Sequence, residues 1–414
     1  MSGTYQLSRN NIFFLIIKVT LIFNLFGFCY SQNSKIEALY DLDNYIKFIE
    51  TKNIGIVSNQ SSVFFKKDKK THLVDSLLNL GLSIKAIFGP EHGFRGDLDA
   101  GEKINDSIDE RTGIPIISLY GKKKKPSAED LKGIDIILFD LQDVGVRFYT
   151  YLSTLHYIME SCAENDIKLI VLDRPNPNAN IIDGPIMESS SMSFVGLHPV
   201  PILYGMTIGE YAKMINDEGW TIKKADLKVI PMADFKREMV LPLKIKPSPN
   251  LPNLKSINLY ASLCFFEQTP VSVGRGTNMQ FQVVGSPNWK NLDFKFIPEP
   301  NIGAKNPKHN GKTCYGFDLR KSNFLNSINL EWLIYAYNNS NDKENFFRSG
   351  FHRLAGTKNL EHQIKNGISV KKIKETWKDD IIKFKKSEKN ILFTISQFQD
   401  IYVSVKKHST LDFL

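Results

Sequence analysis

Cysteine is scarce in this chain. The four present, Cys29, Cys162, Cys264 and Cys314, form no CxxC pair, so neither a metal cluster nor a disulfide framework is supported as its organising device. Nucleotide and hydrolase signatures are missing too. No GxGxxG follows the first apolar strand pattern, where a pyrophosphate turn would need it, and there is no GxxxxGKS/T phosphate loop, HExxH zinc helix or GxSxG elbow. The dinucleotide, P-loop, zinc-protease and elbow-serine esterase readings fall with them. Acidic residues are absent before Glu37. There Arg9 precedes a largely apolar run from Ile12 to Phe28, interrupted by Lys18, and Cys29 and Ser31 supply small residues three and one positions before Gln32. That is the layout of a secretory signal peptide over residues 1–31 with Gln32 as the mature start, and it implies export to the periplasm or cell envelope. An uncleaved membrane anchor is the competing reading, because the run approaches spanning length. Bulky Phe28 argues against a lipoprotein at Cys29.

What is there fits a two-domain globular protein. The chain has 414 residues, too many for one ordinary domain, and 42% hydrophobic with 23% charged residues is enough to bury two cores. The formal charge is +9, with basic runs at Lys66–Lys70 and Lys122–Lys125 that would suit an anionic partner such as a cell-wall polymer. Neither run carries the interleaved aromatics of a single-strand binder, so a nucleic-acid partner is not expected and solvated loops are the plainer reading.

From Asn53 onward short Ile/Val/Leu runs alternate with helical patterns. Strands are expected at Ile54–Ser58, Ile84–Phe88, Ile114–Leu119, Ile134–Phe139, Ile167–Leu172 and Leu227–Ile230, and helices at Thr71–Asn79, Tyr151–Glu164 and Thr207–Glu218. Such alternation implies an α/β domain with a mostly parallel sheet covered on both faces, over residues 32–235. After Met232, the prolines at 242, 247, 249 and 252 mark a connection to a smaller α+β domain (236–414), with helices near Leu330–Asn338 and Ile373–Lys385. Cys162 falls on the apolar face of its helix and reads as a core residue, while Cys264 and Cys314 could pair in an oxidising compartment.

The polar residues sort by strand ends. Asn59 and Gln60, Glu91 and His92, Asp140 to Asp143, and Asp173 to Asn176 each follow a different strand, and in an open α/β sheet those ends share the edge where ligands bind. The second of these loops, FGPEHGFRGDLDAGE (Phe88–Glu102), holds Glu91, His92, Arg95, Asp97, Asp99 and Glu102 between shape-setting glycines and a proline. In the second domain the loop Phe266–Thr277 carries Glu267 and Arg275. These form either a local salt link or a lid over the cleft.

GPEHGFRG, DLQDVGVRFYTY, DRPNPN followed by Asp183-Gly184-Pro185, and SVGRGT occur in this order, and together they resemble the NamZ-type exo-β-N-acetylmuramidase family. The resemblance covers the chain from about Asn53 to its end. It implies a Rossmann-like N-terminal domain and a smaller C-terminal domain with the active site between them. The implied reaction removes terminal β-1,4-linked N-acetylmuramic acid from the non-reducing end of peptidoglycan fragments, without a nucleotide or metal cofactor; the expected partners are peptidoglycan-derived muramyl saccharides. Glu91 matches the motif glutamate and is the expected general acid; His92, one residue on, either orients it or is a core histidine hydrogen-bonded to backbone. Asp143 or Glu267 is the expected second group, unless the substrate's own 2-acetamido oxygen is the nucleophile and Asp143, Tyr149 or Tyr151 polarises it. Asp140 holds the loop or contacts the sugar. Arg95, Arg147, Arg174 and Arg275 are the cations available for the lactyl carboxylate, one or two of them reaching it. Asn59, Gln60, Gln142 and Asn176 are expected on sugar hydroxyls or the acetamide. Gln268 stands where the family pattern often has glycine after the glutamate. A peptidoglycan-binding protein without catalysis is the alternative.

Overall fold

The computed structural model describes residues 36–66, 69–91, 93–94, 106–239, 241–389 and 391–392. The leader-like segment, His92, Arg95, Asp97, Asp99 and Glu102 lie outside them.

Six parallel strands form the main sheet: β1 (Asn53–Ser58), β2 (Ser83–Gly89), β3 (Pro115–Ser118), β4 (Ile136–Asp140), β5 (Lys168–Leu172) and β6 (Leu227–Ile230). Their spatial order is β6-β5-β4-β1-β2-β3, and a short antiparallel strand, Ser107–Ile108, closes the β3 edge. Strand β4 is buried along its whole length, which is why its sequence reads as an apolar run from Ile136 to Phe139 before Asp140 ends it. Ile54 on β1 pairs with Ile84 on β2 and Ile136 on β4, placing the ends of the three strands in register. Because the chain winds outward from β1 in both directions, the order reverses between β1 and β4, and the crevice beyond their carboxyl ends is the place where such sheets bind ligands.

Helix α1 (Tyr151–Glu164) buries Leu152, Leu155, Ile158, Met159 and Cys162, the stripe its spacing predicts. Helix α2 (Ile208–Asp217) opens with a capping box in which Thr207 and Glu210 satisfy each other's backbone amides. The smaller C-terminal part is built on a three-stranded antiparallel sheet, Val283–Ser286, Cys314–Asp318 and Phe294–Phe296, with helices packed around it. All three described cysteines are buried free thiols, so Cys264 and Cys314 are not paired.

Two local expectations change. The helix expected at Ile373–Lys385 is two helices, Val370–Glu375 and Lys378–Glu388. The break has a visible cause: the Thr376 hydroxyl bonds back to the Ile373 carbonyl at 2.6 Å, and Trp377 turns into the core. Between β1 and the helix Leu73–Asn79, an antiparallel hairpin (Val63–Lys66 with Lys69–His72) carries Lys66, Lys69 and Lys70 of the first basic run in its strands.

The two parts are pinned by Arg147. Its Nη1 donates to the carbonyls of Pro185 and Val200 at 2.8 and 2.6 Å, and its Nη2 to those of Leu354 and Ala355 at 3.2 and 2.9 Å. Gly356, at φ 86°, follows that second pair, and a Cβ there would lie 2.3 Å from the Arg147 guanidinium. One of the four candidate cations for the lactyl carboxylate is thus a buried staple, 2% exposed, and burial pulls its pKa down to about 9.

Candidate active site

At the carboxyl end of β1, Asn59 is fully buried. Its Oδ1 accepts from the Ser61 amide (2.9 Å) and hydroxyl (2.6 Å), and its Nδ2 donates to the Tyr151 hydroxyl at 2.7 Å. One strand over, the Arg174 guanidinium makes a bidentate pair with Asp140 at 2.7 and 2.8 Å and reaches Glu37 at 2.8 Å, all behind the crevice. Gln142 donates to the Asp143 and Pro175 carbonyls, and Asn176 donates to Met206 O and accepts from the Asn178 amide. Gly145, at φ 75°, lets the β4 loop cross Asn176 so closely that a Cβ would fall 1.9 Å from its Oδ1. Asn59, Gln142 and Asn176 were expected on sugar hydroxyls or the acetamide, Asp140 on the loop or the sugar, and Arg174 was one of four arginines of which one or two would reach the lactyl group. Their hydrogen bonds run to other parts of the protein, so here they frame the loops.

Glu91 sits at the rim of that frame, half-buried at the end of β2. The Thr150 hydroxyl donates to its Oε2 at 2.6 Å, and the Tyr151 hydroxyl lies 3.4 Å from its backbone oxygen. The Tyr120 phenol is held well above its ordinary pKa by burial and by the Glu91 carboxylate beside it. A carboxyl partly open to solvent, fixed by a hydroxyl donor and backed by a neutral phenol, has the fixed position that proton delivery requires. His72, buried just behind, bonds through Nε2 to Asn59 O at 2.9 Å, accepts the Val74 amide on Nδ1 at 3.2 Å and meets the Phe94 ring edge-on at 4.7 Å. It caps its helix and braces the loop.

Asp143 is the second carboxyl of the crevice. Its Oδ2 accepts from the Gly145 amide at 2.7 Å and from the Tyr204 phenol, while its buried Oδ1 has no partner. Burial pushes its pKa up to about 6 against the pull of the Tyr204 phenol and the Gly145 and Val144 amides. Its charge, like that of Glu91, raises the pKa of the Tyr151 phenol, and it raises that of Tyr149 as well.

The tyrosines carry the site up to the C-terminal part. Tyr149 packs edge-on against Tyr151 (4.7 Å between centroids) and against Tyr260 (6.3 Å), which in turn meets Phe281 at 4.9 Å. Arg275 lies over the Phe281 ring at 5.0 Å and bonds Glu267 through Nε at 3.1 Å. The Tyr149 hydroxyl donates to Pro247 O at 2.7 Å, a carbonyl that Gln60 Nε2 also approaches at 3.2 Å, so the connecting segment is tied down over the crevice. Tyr149 is thereby a buried strut, which corrects its expected place among the substrate contacts. Lys308 organises the opposing loop, donating to the carbonyls of Phe266, Thr269 and Glu267 at 2.6, 2.8 and 3.2 Å, and burial pulls its pKa down to about 8. Burial alone would push the Glu267 carboxyl up, but Arg275 and Lys308 outweigh it and hold the group below the usual carboxylate range. Glu267 is therefore a neutralised anion in a salt link, one of the two readings its loop allowed. Gln268 ends a 3₁₀ turn (Cys264–Gln268) and is not among the positive-φ residues, so no glycine is needed after Glu267.

Of the described candidates, Gln60, Glu91, Glu267 and Arg275 remain partly exposed. Tyr120, Thr150, Tyr204, Tyr260 and Lys308 complete the arrangement without having been singled out. Thr150 and Tyr151 belong to the DLQDVGVRFYTY motif, which was the available signal for Thr150; the others carried none beyond an ordinary core aromatic or a lone lysine.

Similarity to known proteins follows the same two parts. A family model described as exo-beta-N-acetylmuramidase NamZ, N-terminal, matches residues 54–255, and its C-terminal counterpart matches residues 258–393. The peptidoglycan beta-N-acetylmuramidase NamZ of Bacillus subtilis (strain 168) is 38% identical over 373 residues, covering 85% of this chain and 89% of that protein. Two crystal structures of DUF1343 family proteins from Bacteroides fragilis NCTC 9343 superpose on it. One has a TM-score of 0.80 at 42% identity, covering 87% of this chain and 99% of its own; the other has 0.73 at 26%, covering 87% and 98%.

Proposed function

The chain belongs to the NamZ family of exo-β-N-acetylmuramidases, and from that premise we propose how its crevice releases terminal β-1,4-linked N-acetylmuramic acid from the non-reducing end of peptidoglycan fragments. The observation that carries the reading is the Glu91 carboxyl, half-open at the switch-point crevice and fixed by the Thr150 hydroxyl at 2.6 Å. In its protonated form Glu91 gives its proton to the glycosidic oxygen as the bond to the anomeric carbon breaks. Asp143 has one oxygen with hydrogen-bonding capacity left and is the only one of the two other candidate acids not neutralised by cations. Once the bound sugar displaces the side chains that cover it, this buried oxygen receives the N–H of the substrate's 2-acetamido group, so that the amide oxygen closes on the anomeric carbon as the leaving sugar departs. Glu91, now a carboxylate, takes a proton from the water that opens the ring and regenerates the acid. Arg275, whose Nη groups bond no other described residue, is the cation placed to receive the lactyl carboxylate, with Arg95 as the other candidate. The C-terminal part closes the crevice from above. The leader-like first 31 residues support an exported enzyme that meets wall fragments in the envelope, as a mature N-terminus at Gln32 would demonstrate.

The test is hydrolysis of a para-nitrophenyl β-N-acetylmuramide against the matching β-N-acetylglucosaminide, for the parent and Glu91→Gln. Turnover of the muramide alone, lost in the variant, is expected. Equal turnover of both sugars would overturn the lactyl recognition. Tight binding of wall fragments without turnover, unchanged by Glu91→Gln, would overturn catalysis in favour of a binding protein.

A further inference from the structure

A second concave site lies away from Glu91. A groove of about 630 Å³ runs between the segment Pro185–Glu188, the end of α2 with Trp220, and the C-terminal helices. That volume is of the size that holds small ligands such as a short oligosaccharide. Its walls carry two tryptophans, Trp220 and Trp377, together with Asn359, Gln363, Thr376 and Asp380. One face of Trp220 is stacked on His198 (4.6 Å between centroids, 18° between planes), so only its other face is left for the groove. The Gln363 amide is barely used by the fold: Oε1 has no partner and Nε2 makes a single bond of 3.4 Å, to Thr376 Oγ1. An aromatic plane beside planar amides and hydroxyls is the chemistry that takes a pyranose ring by its C–H face and its rim of hydroxyls. The charge is equally informative. Glu188, Glu218 and Asp380 face one cation, Lys383, which is already paired with Asp380 at 3.1 Å. An anionic ligand is repelled there.

We propose that this groove is a second saccharide-binding site, taking neutral 2-acetamido sugars of the N-acetylglucosamine type and not the anionic muramic acid that the crevice reads. The choice of ligand rests on the wall-glycan function proposed above, and the existence of the groove does not. Such a site would hold the wall strand while the crevice acts on its end, combining two weak contacts on one glycan.

The probe is triacetylchitotriose, followed by calorimetry and tryptophan fluorescence on the full chain, with para-nitrophenyl β-N-acetylmuramide hydrolysis measured in parallel. Binding is expected, weakened at least about fivefold by Trp220→Ala and by Gln363→Leu, with hydrolysis of the small muramide unchanged. The exposed Asn359→Ala is the third variant, and it weakens binding even if loss of the His198 stack unfolds the first. Absence of binding at about 10 mM chitotriose, far above ordinary lectin-like affinity, would overturn the groove alone. So would binding indifferent to all three variants, or equal affinity for a muramic-acid-bearing fragment. If the muramide is not hydrolysed at all while chitotriose still binds the groove, the catalytic reading fails and the groove stands.

Discussion

Replacing Asp143 by Asn separates the chemistry of the crevice from its cost to the fold. The carboxyl is 3% exposed and its pKa is pushed up to about 6, mainly by burial. An aspartate in the unfolded chain titrates near 3.9, and each pH unit of that difference is about 1.4 kcal/mol, so holding the charge at pH 7 costs the fold on the order of 3 kcal/mol. The sign follows from the raised value. Below about pH 4 the group is neutral in both states and nothing is lost; between about pH 4 and 6 the unfolded state ionises first and stability falls; above that range the deficit is constant. Asparagine keeps the side chain's shape. Its Oδ1 can accept from the Gly145 amide and the Tyr204 phenol, while its Nδ2 occupies the place of the unpartnered oxygen. Asp143→Asn should therefore match the parent in denaturation midpoint near pH 4 and exceed it at pH 7.5, while muramide turnover falls about a hundredfold or more because the acetamide loses its charged acceptor. Denaturant titrations at the two pH values, beside kcat for the muramide, read all three effects. A midpoint difference that does not change with pH, or an Asn variant with full activity, would refute the assignment of a strained functional carboxylate.

Other consequences follow from individual contacts. Thr150→Val removes the 2.6 Å bond to Glu91 and should lower kcat about five- to thirtyfold with little change in KM, since the hydroxyl holds the acid and not the sugar. Arg275→Gln should raise KM for the muramide about tenfold or more and leave slow glucosaminide turnover, if measurable, unaffected; a KM that does not move would assign the lactyl carboxylate to another cation. Arg147→Met leaves the carbonyls of Pro185, Leu354 and Ala355 without their donor and that of Val200 with the Met187 amide alone, and the denaturation midpoint should fall by the equivalent of about 3–5 kcal/mol, with activity lost only as the protein unfolds.

The sheet was legible because its physics is local. A strand buried on both faces is apolar along its length, so β4 declares itself in four consecutive residues, 136–139, before its terminal Asp140, and the stripe of α1 follows from a spacing that only a helix repeats. The convergence of four loops on one edge follows from parallel strands alone. What no local rule can show is which polar side chain is consumed in holding that edge together. Arg147, Arg174 and Arg275 all stand in loop motifs of similar look, and each could meet a carboxylate. Yet Arg174 is used on Asp140 and Glu37, Arg147 on carbonyls more than thirty residues away, and of the three only Arg275 has Nη groups that make no hydrogen bond among the described residues. A faint signal was present: Arg147 lies between Val146 and Phe148, whose burial it shares, whereas Arg275 lies between two glycines that hold its backbone in a turn. The phenols were less readable still. Tyr204 and Tyr260 are core aromatics by any local measure, Tyr120 an ordinary half-buried one, and what makes Tyr204 part of the site is a carboxylate sixty-one residues earlier. A hydroxyl acquires its function from the partner it meets, and that meeting is a property of the fold as a whole.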